Sequence, residues 1–334
     1  MNQAPTPTAD TVRRLVRALL AEVGVGGPGP EVRPVTEDVS EGVTEGVTEG
    51  VTEGVTEGGA HSAWWVGSRH VLRLAPDRAA TVRRRRELRL RDLVRPHVPV
   101  AVPVGVAHGE WSPGLVYTLD TRLPGGTAEE YDVSAVGEAD LAGLLRGLRE
   151  VPSRQAETLG VPRAAPRSLE ALRRRAVAAA ERLARADEFD AARLHQLTAP
   201  GAAQFAAQPG TTVLVHHALR GEHLVVSADG RVRGVLGWSD AVIGDPAEDI
   251  AGLAVAVGSG AAVRAATLAG YGARPCLRGL WLARCDTVVH LAQHLDADAR
   301  TRLLRAWEPI LLERVTELRE DGEGAGDGAP DDEE

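Results

Sequence analysis

Apolar residues recur at helical spacing through Val12, Leu15, Leu19 and Leu20, which predicts an amphipathic helix over 8–23 capped by Thr8 or Asp10. A Gly/Pro-rich loop follows at 24–34. Short apolar runs at 63–66 and 70–74 flank Gly67-Ser68-Arg69 and read as two strands. An Arg-rich helix is expected over 77–94, with Val82, Leu88, Leu90 and Leu93 among its apolar positions. Two further strands are expected at 100–107 and 115–119, joined by a loop containing Pro113-Gly114. Residues 121–126 read as a hinge. Beyond about residue 135 the period becomes helical, with helices predicted at 138–150, 167–186, 188–197, 246–257, 260–271, 277–295 and 298–319. One hairpin interrupts them at 224–236, where two apolar runs enclose the turn residues Ala228-Asp229-Gly230. The sum is a small strand-rich lobe, a hinge and a larger helical lobe.

Composition refines this picture in three places. Residues 35–58 form a tandem V-T-E-G tetrapeptide, regular in its last four copies. It buries little and repeats Gly, so it reads as a disordered insert. The formal charge of −9 is unevenly distributed: residues 37–57 and 320–334 together hold fifteen carboxylates and no Arg, and the rest of the chain carries +6. A mildly basic body suits an anionic ligand such as a nucleotide, and its charge is too dispersed for nucleic acid. All basic side chains are Arg. The only cysteines, Cys276 and Cys285, suit a reducing compartment. No apolar run is long enough to span a membrane, and residues 1–10 lack the pattern of a secretory leader. The expected location is the cytoplasm.

The densest chemistry lies between Leu214 and Ile250. The chain reads L-V-H-H-A-L-R-G-E-H-L-V-V from Leu214, and G-V-L-G-W-S-D-A-V-I-G-D-P-A-E-D-I from Gly234. A hairpin returns to its starting end, so the loop 216–223 lies beside Gly237. Phosphoryl transfer needs such convergence, because one group positions the acceptor hydroxyl while others hold a metal on the phosphates. The frame resembles the aminoglycoside/macrolide phosphotransferase family, whose segments read H-G-D-x-x-x-x-N and I-D-W/F followed by G-D-P-x-x-D. The resemblance covers residues 59 to 318 and implies an α+β, two-lobed, protein-kinase-like fold. Residues 1–34 would add an N-terminal helix and loop to the N-lobe. Residues 35–58 would be the insert, 59–122 the small β-rich N-lobe, 123–319 the mainly helical C-lobe with its hairpin, and 320–334 a disordered acidic tail.

Residue by residue, the resemblance places His216 as a structural brace and Ala218 at the catalytic aspartate position. His223 stands at one metal-ligand position and Gly237 at the other. A methyl group accepts no proton, and loss of a general base typically costs about 10²–10⁴ in rate. Glycine offers a metal no side chain, and Mg²⁺ prefers oxygen donors. Glu222, His217 and Asp240 are the neighbours available for rescue. Asp249, with Asp245-Pro246, matches the scaffold that buttresses the loop. A helix start with acids near its N-terminal dipole explains Asp249 equally well.

In the small lobe the resemblance implies that Arg73 contacts phosphate, that Glu87 is its ion-pair partner, and that Ser62 belongs to the loop over the phosphates. A surface arginine at a strand end is the alternative for Arg73. His290 and His294 stand at i, i+4 without a third ligand, which favours ordinary histidines. Trp64 and Trp65 are expected to pack the small lobe, and Trp238 to be core.

The family moves the ATP γ-phosphate to a hydroxyl of a small molecule such as an aminoglycoside or macrolide. Three readings follow: a catalytically impaired, pseudokinase-like member; an active small-molecule kinase with rearranged residues; and a non-enzymatic binding or interaction protein. ATP and a hydroxyl-bearing small molecule are the expected partners. The lost ligand positions argue against Mg²⁺. Neither nucleic acid nor membrane is expected as a partner, and the sequence leaves the acceptor and the oligomeric state open.

Overall fold

A computed structural model describes residues 7–22, 31–35, 63–208 and 212–310. Ser62, nearly all of the V-T-E-G repeat and the acidic tail lie outside the described residues. The N-lobe comprises helix α1 (Ala9–Glu22) and strands β1 (Val32–Pro34), β2 (Ala63–Val66) and β3 (His70–Leu74). It continues with helix α2 (Arg78–Val94) and strands β4 (Gly105–Ser112) and β5 (Leu115–Thr121). The antiparallel sheet runs in the order β1-β2-β3-β5-β4. Strand alternation divides its two faces. Leu72 and Leu74 join Val12, Val16, Leu19, Trp64 and Leu119 in a small apolar cluster with α1. Arg73, between them in sequence, turns to the other face and meets Glu87 of α2. Asp77 starts α2 by accepting the Ala80 N–H at 2.7 Å.

Strand β6 (Gly126–Thr127) opens the C-lobe and pairs with β8 (Leu224–Val226), which pairs with β9 (Val232–Val235). The helices α3 (Ala135–Glu150), α4 (Ser153–Thr158), α5 (Leu169–Arg185) and α6 (Ala199–Gln204) precede β7 (Val213–Val215). After β9 come β10 (Val242–Gly244), α7 (Ala247–Val257), α8 (Ser259–Leu268), α9 (Ala273–Leu291) and α10 (Ala297–Ala306). Helix α9 is the centre of this lobe. Leu280, Leu282, Cys285 and Val288 are fully buried on it, and Gly279 lets it approach Ile250 and the Ala247 carbonyl of α7. A helix apolar around much of its circumference belongs in a core. Burial pushes the thiols of Cys276 and Cys285 up to about 11 and about 12, so both are poor nucleophiles. No helix among the described residues is long and apolar enough to cross a membrane.

The two-lobed α+β plan agrees with the expectation, and several details differ. The strand expected at 100–107 forms at Gly105–Ser112 instead. Pro103 has no N–H for a ladder, and Ala101 makes an isolated parallel bridge to Gly234. The helix expected at 188–197 is a 3₁₀ turn over Ala191–Gln196 capped by Asp190. The last helix ends at Ala306 with Pro309 following, and the part of its expected span from 311 to 319 lies outside the described residues. The loop expected at 24–34 contains β1, an edge strand on β2. Strands β7 and β10 were not expected, because each is only three residues long.

Helix α3 crosses the loop before β4 at very close range. A Cβ at Gly147 would lie 2.2 Å from the His97 carbonyl oxygen. Intrinsic propensity favours Ala over Gly in a helix by about 1 kcal/mol. Here the backbone clash outweighs it, and Gly147→Ala should lower stability by roughly 1–3 kcal/mol, read from urea unfolding midpoints.

Candidate functional site

Three antiparallel strand pairings build the site. Val215 of β7 faces Val242 of β10, so the chain leaves β7 and returns to β10 at the same place. Between these ends the β8–β9 hairpin makes its excursion. The loop at its entry, His216–Gly221, therefore lies against Leu236 and Gly237 at its exit. Gly230 completes the distant turn at φ +74, with its N–H on the Ser227 carbonyl at 2.8 Å.

Asp249, in the first turn of α7, gathers the loop. Its carboxylate accepts the N–H groups of His216 and His217, both at 2.8 Å. His217 takes up φ +67 to present its amide. The His216 ring spans the hairpin ends: Nε2 donates to the Leu236 carbonyl at 2.8 Å, and Nδ1 accepts the Ala218 N–H at 3.3 Å. These partners assign the neutral Nε2–H tautomer. The ring packs edge-on against Trp238, itself fully buried.

His223 completes the arrangement. Its Nδ1 donates to the Ala218 carbonyl at 2.7 Å, and its own carbonyl accepts the Leu236 N–H at 2.9 Å. Both backbone groups of Ala218 are thus held by imidazoles. Gly237 adopts φ +80, and a Cβ there would fall 2.7 Å from both Cε1 and Nδ1 of His223. The imidazole occupies the space through which a side chain at 237 would leave the backbone.

The structure brings His216, Ala218, His223, Gly237 and Asp249 together. This donor set does not fit Mg²⁺. Ala218 ends in a methyl, Gly237 has no side chain, and Nδ1 of His223 is committed to a carbonyl. No group of three or more His, Cys, Asp or Glu among the described residues could hold a metal ion. Of the neighbours available for rescue, Asp240 is exposed. Glu222 lies 3.8 Å from Arg220 and 3.9 Å from Arg302.

Arg73 and Glu87 also meet, with Nη2 to Oε1 at 3.1 Å. They belong to a larger buried network. Asp120 of β5 takes Arg73 Nε and Nη2 on one oxygen at 3.2 and 2.8 Å, and Arg91 Nη2 on the other at 2.7 Å. Burial alone would raise the Asp120 carboxyl, but Arg73 and Arg91 outweigh it and hold it at about 2. Glu87 is likewise penalised by burial and drawn downward by Arg73, Arg91 and Arg84. The sequence reading missed Asp120 and Arg91. Their signals were a lone acid in the apolar run L-V-Y-T-L-D-T and an Arg one turn after Glu87. Helix α2 also reaches the hairpin exit, where Arg86 Nη2 donates to the Ser239 carbonyl at 2.6 Å.

A groove of about 560 Å³ opens beside Ala218. Its apolar wall comes from Leu219, Ala251, Val255 and Ala283. The carboxylates along it are engaged by Arg: Glu248 and Asp286 by Arg167, and Glu129 by Arg302.

The sequence pattern of the phosphotransferase enzyme family matches residues 52–280. The chain belongs to this family. Solved structures agree on the fold. Aminoglycoside 2'-phosphotransferase-IIIa, in a GDP complex, superposes with a TM-score of 0.56 at 17% identity, covering 92% of this chain and 99% of that one. Macrolide 2'-phosphotransferase MphH from Brachybacterium faecium gives a TM-score of 0.52 at 23% identity over 89% and 98% of the two chains. ADP-bound aminoglycoside phosphotransferase APH(2'')-Ib gives 0.51 at 14% identity over 90% and 98%. No curated protein matches the chain.

Two measurements test this geometry. Gly237→Asp should destabilise the protein by roughly 1–3 kcal/mol through the clash with His223. His223→Asn in the same chain should recover much of that loss, a coupling visible in a double-mutant cycle of urea unfolding. The second concerns pH. Burial, then His223, depresses His216 from 6.5 to about 3, so its contribution is complete above pH 6.5 and is lost as pH falls toward 3. Burial raises Asp249 from 3.8 to about 7, so its contribution is complete below pH 3.8 and is lost as pH rises through 7. The two slopes oppose each other between about pH 4 and 6.5. Asp249→Asn removes one of them, so that variant should lose stability on acidification across this window more steeply than the wild type.

Proposed function

We propose that this family member keeps the kinase-like cleft as a binding site for a nucleotide and a small hydroxyl-bearing molecule, with phosphoryl transfer severely impaired. The observation that carries the reading is the seating of His223 over Gly237 beside the methyl of Ala218. Transfer requires a group that orients or deprotonates the acceptor and a cation that neutralises charge on the phosphates. At 218 no such group exists, and at 237 an imidazole ring fills the path a ligand side chain would take. His216 and Asp249 then serve as braces: they hold the loop in a kinase-like shape without touching a reacting atom. Arg73, backed by Glu87 and Asp120, serves as the phosphate-facing cation, and GDP and ADP complexes of relatives support a nucleotide in this cleft. Ser62 is proposed for the same end of the nucleotide on the strength of the sequence resemblance alone.

The groove beside Ala218 suits the second ligand. Kanamycin, bound by one relative, is a polycation and calls for several unclaimed carboxylates. The groove offers an apolar wall and acids already engaged by Arg167 and Arg302. Among the acceptors of relatives, a macrolide with one amine suits this wall better than a polyamine.

Calorimetric titration of ATP tests the central claim. The native chain should bind ATP to a similar extent with Mg²⁺ and with EDTA, and should transfer no phosphate to kanamycin or to a macrolide. Binding that depends on Mg²⁺, together with transfer to either acceptor, would overturn the reading in favour of an active kinase with rearranged residues.

A further inference from the structure

Among the described residues, the buried ionic network of the N-lobe does not balance. Helix α2 places Arg84, Glu87 and Arg91 at i, i+3 and i+7, which sets all three on one face toward β3 and β5. With Arg73 and Asp120 they make three guanidiniums against two carboxylates. The carboxylates are already spoken for. Asp120 is held by Arg73 and Arg91, and Glu87 by Arg73 at 3.1 Å and Arg91 at 3.6 Å. Among the described residues Arg84 comes no nearer to an acid than 4.0 Å, from its Nη1 to Glu87 Oε2. Its Nε is buried without a hydrogen-bond partner among the described residues.

Such an arrangement is costly in isolation. A charge removed from water needs a close opposite charge or a full set of hydrogen bonds. Burial and the nearby Arg73 push Arg84 down to about 10, so it stays charged at neutral pH. Arg91 is 1% exposed and sealed inside the lobe, whereas the side chain of Arg84 keeps 17% of its surface open. Of the three guanidiniums, Arg84 combines the weakest pairing with access to a ligand. A planar guanidinium with free N–H groups is well matched to phosphate oxygens.

We propose that Arg84 is a polyphosphate-binding residue, which supplies beside Arg73 a fixed positive charge of the kind a divalent cation would otherwise bring. The proposal rests on the reading of the cleft as a nucleotide site and adds to it a specific residue and a metal-free mode of holding phosphate. The loss of the cation site at Gly237 and the surplus charge on α2 then form one pattern: neutralisation of the phosphates has moved from a metal ion to a side chain.

The test compares wild type, Arg84→Gln and Arg84→Lys in EDTA, by calorimetry with inorganic tripolyphosphate, ATP and adenosine. Wild type should bind tripolyphosphate and ATP without metal. Arg84→Gln should weaken both by about tenfold or more, leave adenosine affinity unchanged, and raise the melting temperature of the ligand-free protein because the unbalanced charge is gone. Arg84→Lys should restore part of the loss. Equal tripolyphosphate affinity in wild type and Arg84→Gln would overturn the proposal and leave the nucleotide cleft standing. Equal losses for adenosine and tripolyphosphate would also overturn it, by showing a merely structural role. Adenosine binding by a wild type that ignores tripolyphosphate would do the same. Binding of ATP by wild type only with Mg²⁺ would overturn both this proposal and the impaired-transfer reading.

Discussion

One buried carboxylate organises the centre of this molecule. Asp249 accepts two successive backbone N–H groups from the loop after β7, and it does so from the first turn of a helix whose other face is core. A buried acceptor with two amides is expensive to disturb, because either amide left alone loses roughly 1–3 kcal/mol of hydrogen bonding. The geometry of the loop follows from that anchor. His217 must take a left-handed conformation, His216 must point at the Leu236 carbonyl, and Ala218 must sit between two imidazoles. None of these contacts requires chemistry at position 218. The scaffold is therefore self-sufficient, and its shape does not depend on which side chain position 218 carries.

The parts of this design that were legible in the sequence were those with long period or fixed spacing. The strands at Ala63–Val66 and His70–Leu74 were readable as apolar runs around a Gly-Ser-Arg turn, and the helix after Asp77 by its helical period. The pairing of Arg73 with Glu87 was anticipated from the family pattern, and its geometry is present. Strands β7 and β10 were not legible, since three residues carry no usable period and each is defined only by its partner. The displacement of β4 came from a proline that removed a donor and from a bridge to Gly234, far away in sequence. Asp120 and Arg91 were missed for a related reason: a buried ion network is a property of several elements at once, and each member alone looks like an ordinary charged residue.

The same distinction separates two kinds of departure at the site. The methyl side chain at position 218 is visible in the sequence itself. The relation between His223 and Gly237 is visible only in space. Read one at a time, the first looks like a tolerable ligand exchange and the second like a simple deletion. In the structure they are a single packing unit, in which the ring occupies the volume that the glycine leaves and turns its Nδ1 to a carbonyl. The buried network of α2 adds a second unit of this kind, where charge balance rather than volume links the residues.

This interlock has a consequence for how the chain accepts substitution. A carboxylate at position 237 displaces the imidazole or is strained by it, so the two positions are coupled through packing. Shrinking residue 223 alone gives up its bond to the Ala218 carbonyl and leaves the space over Gly237 unfilled. Either single substitution on its own thus gives a form less well packed than the present one. Positions 223 and 237 therefore behave as one unit under substitution, and the side chain that either accepts is set by the other.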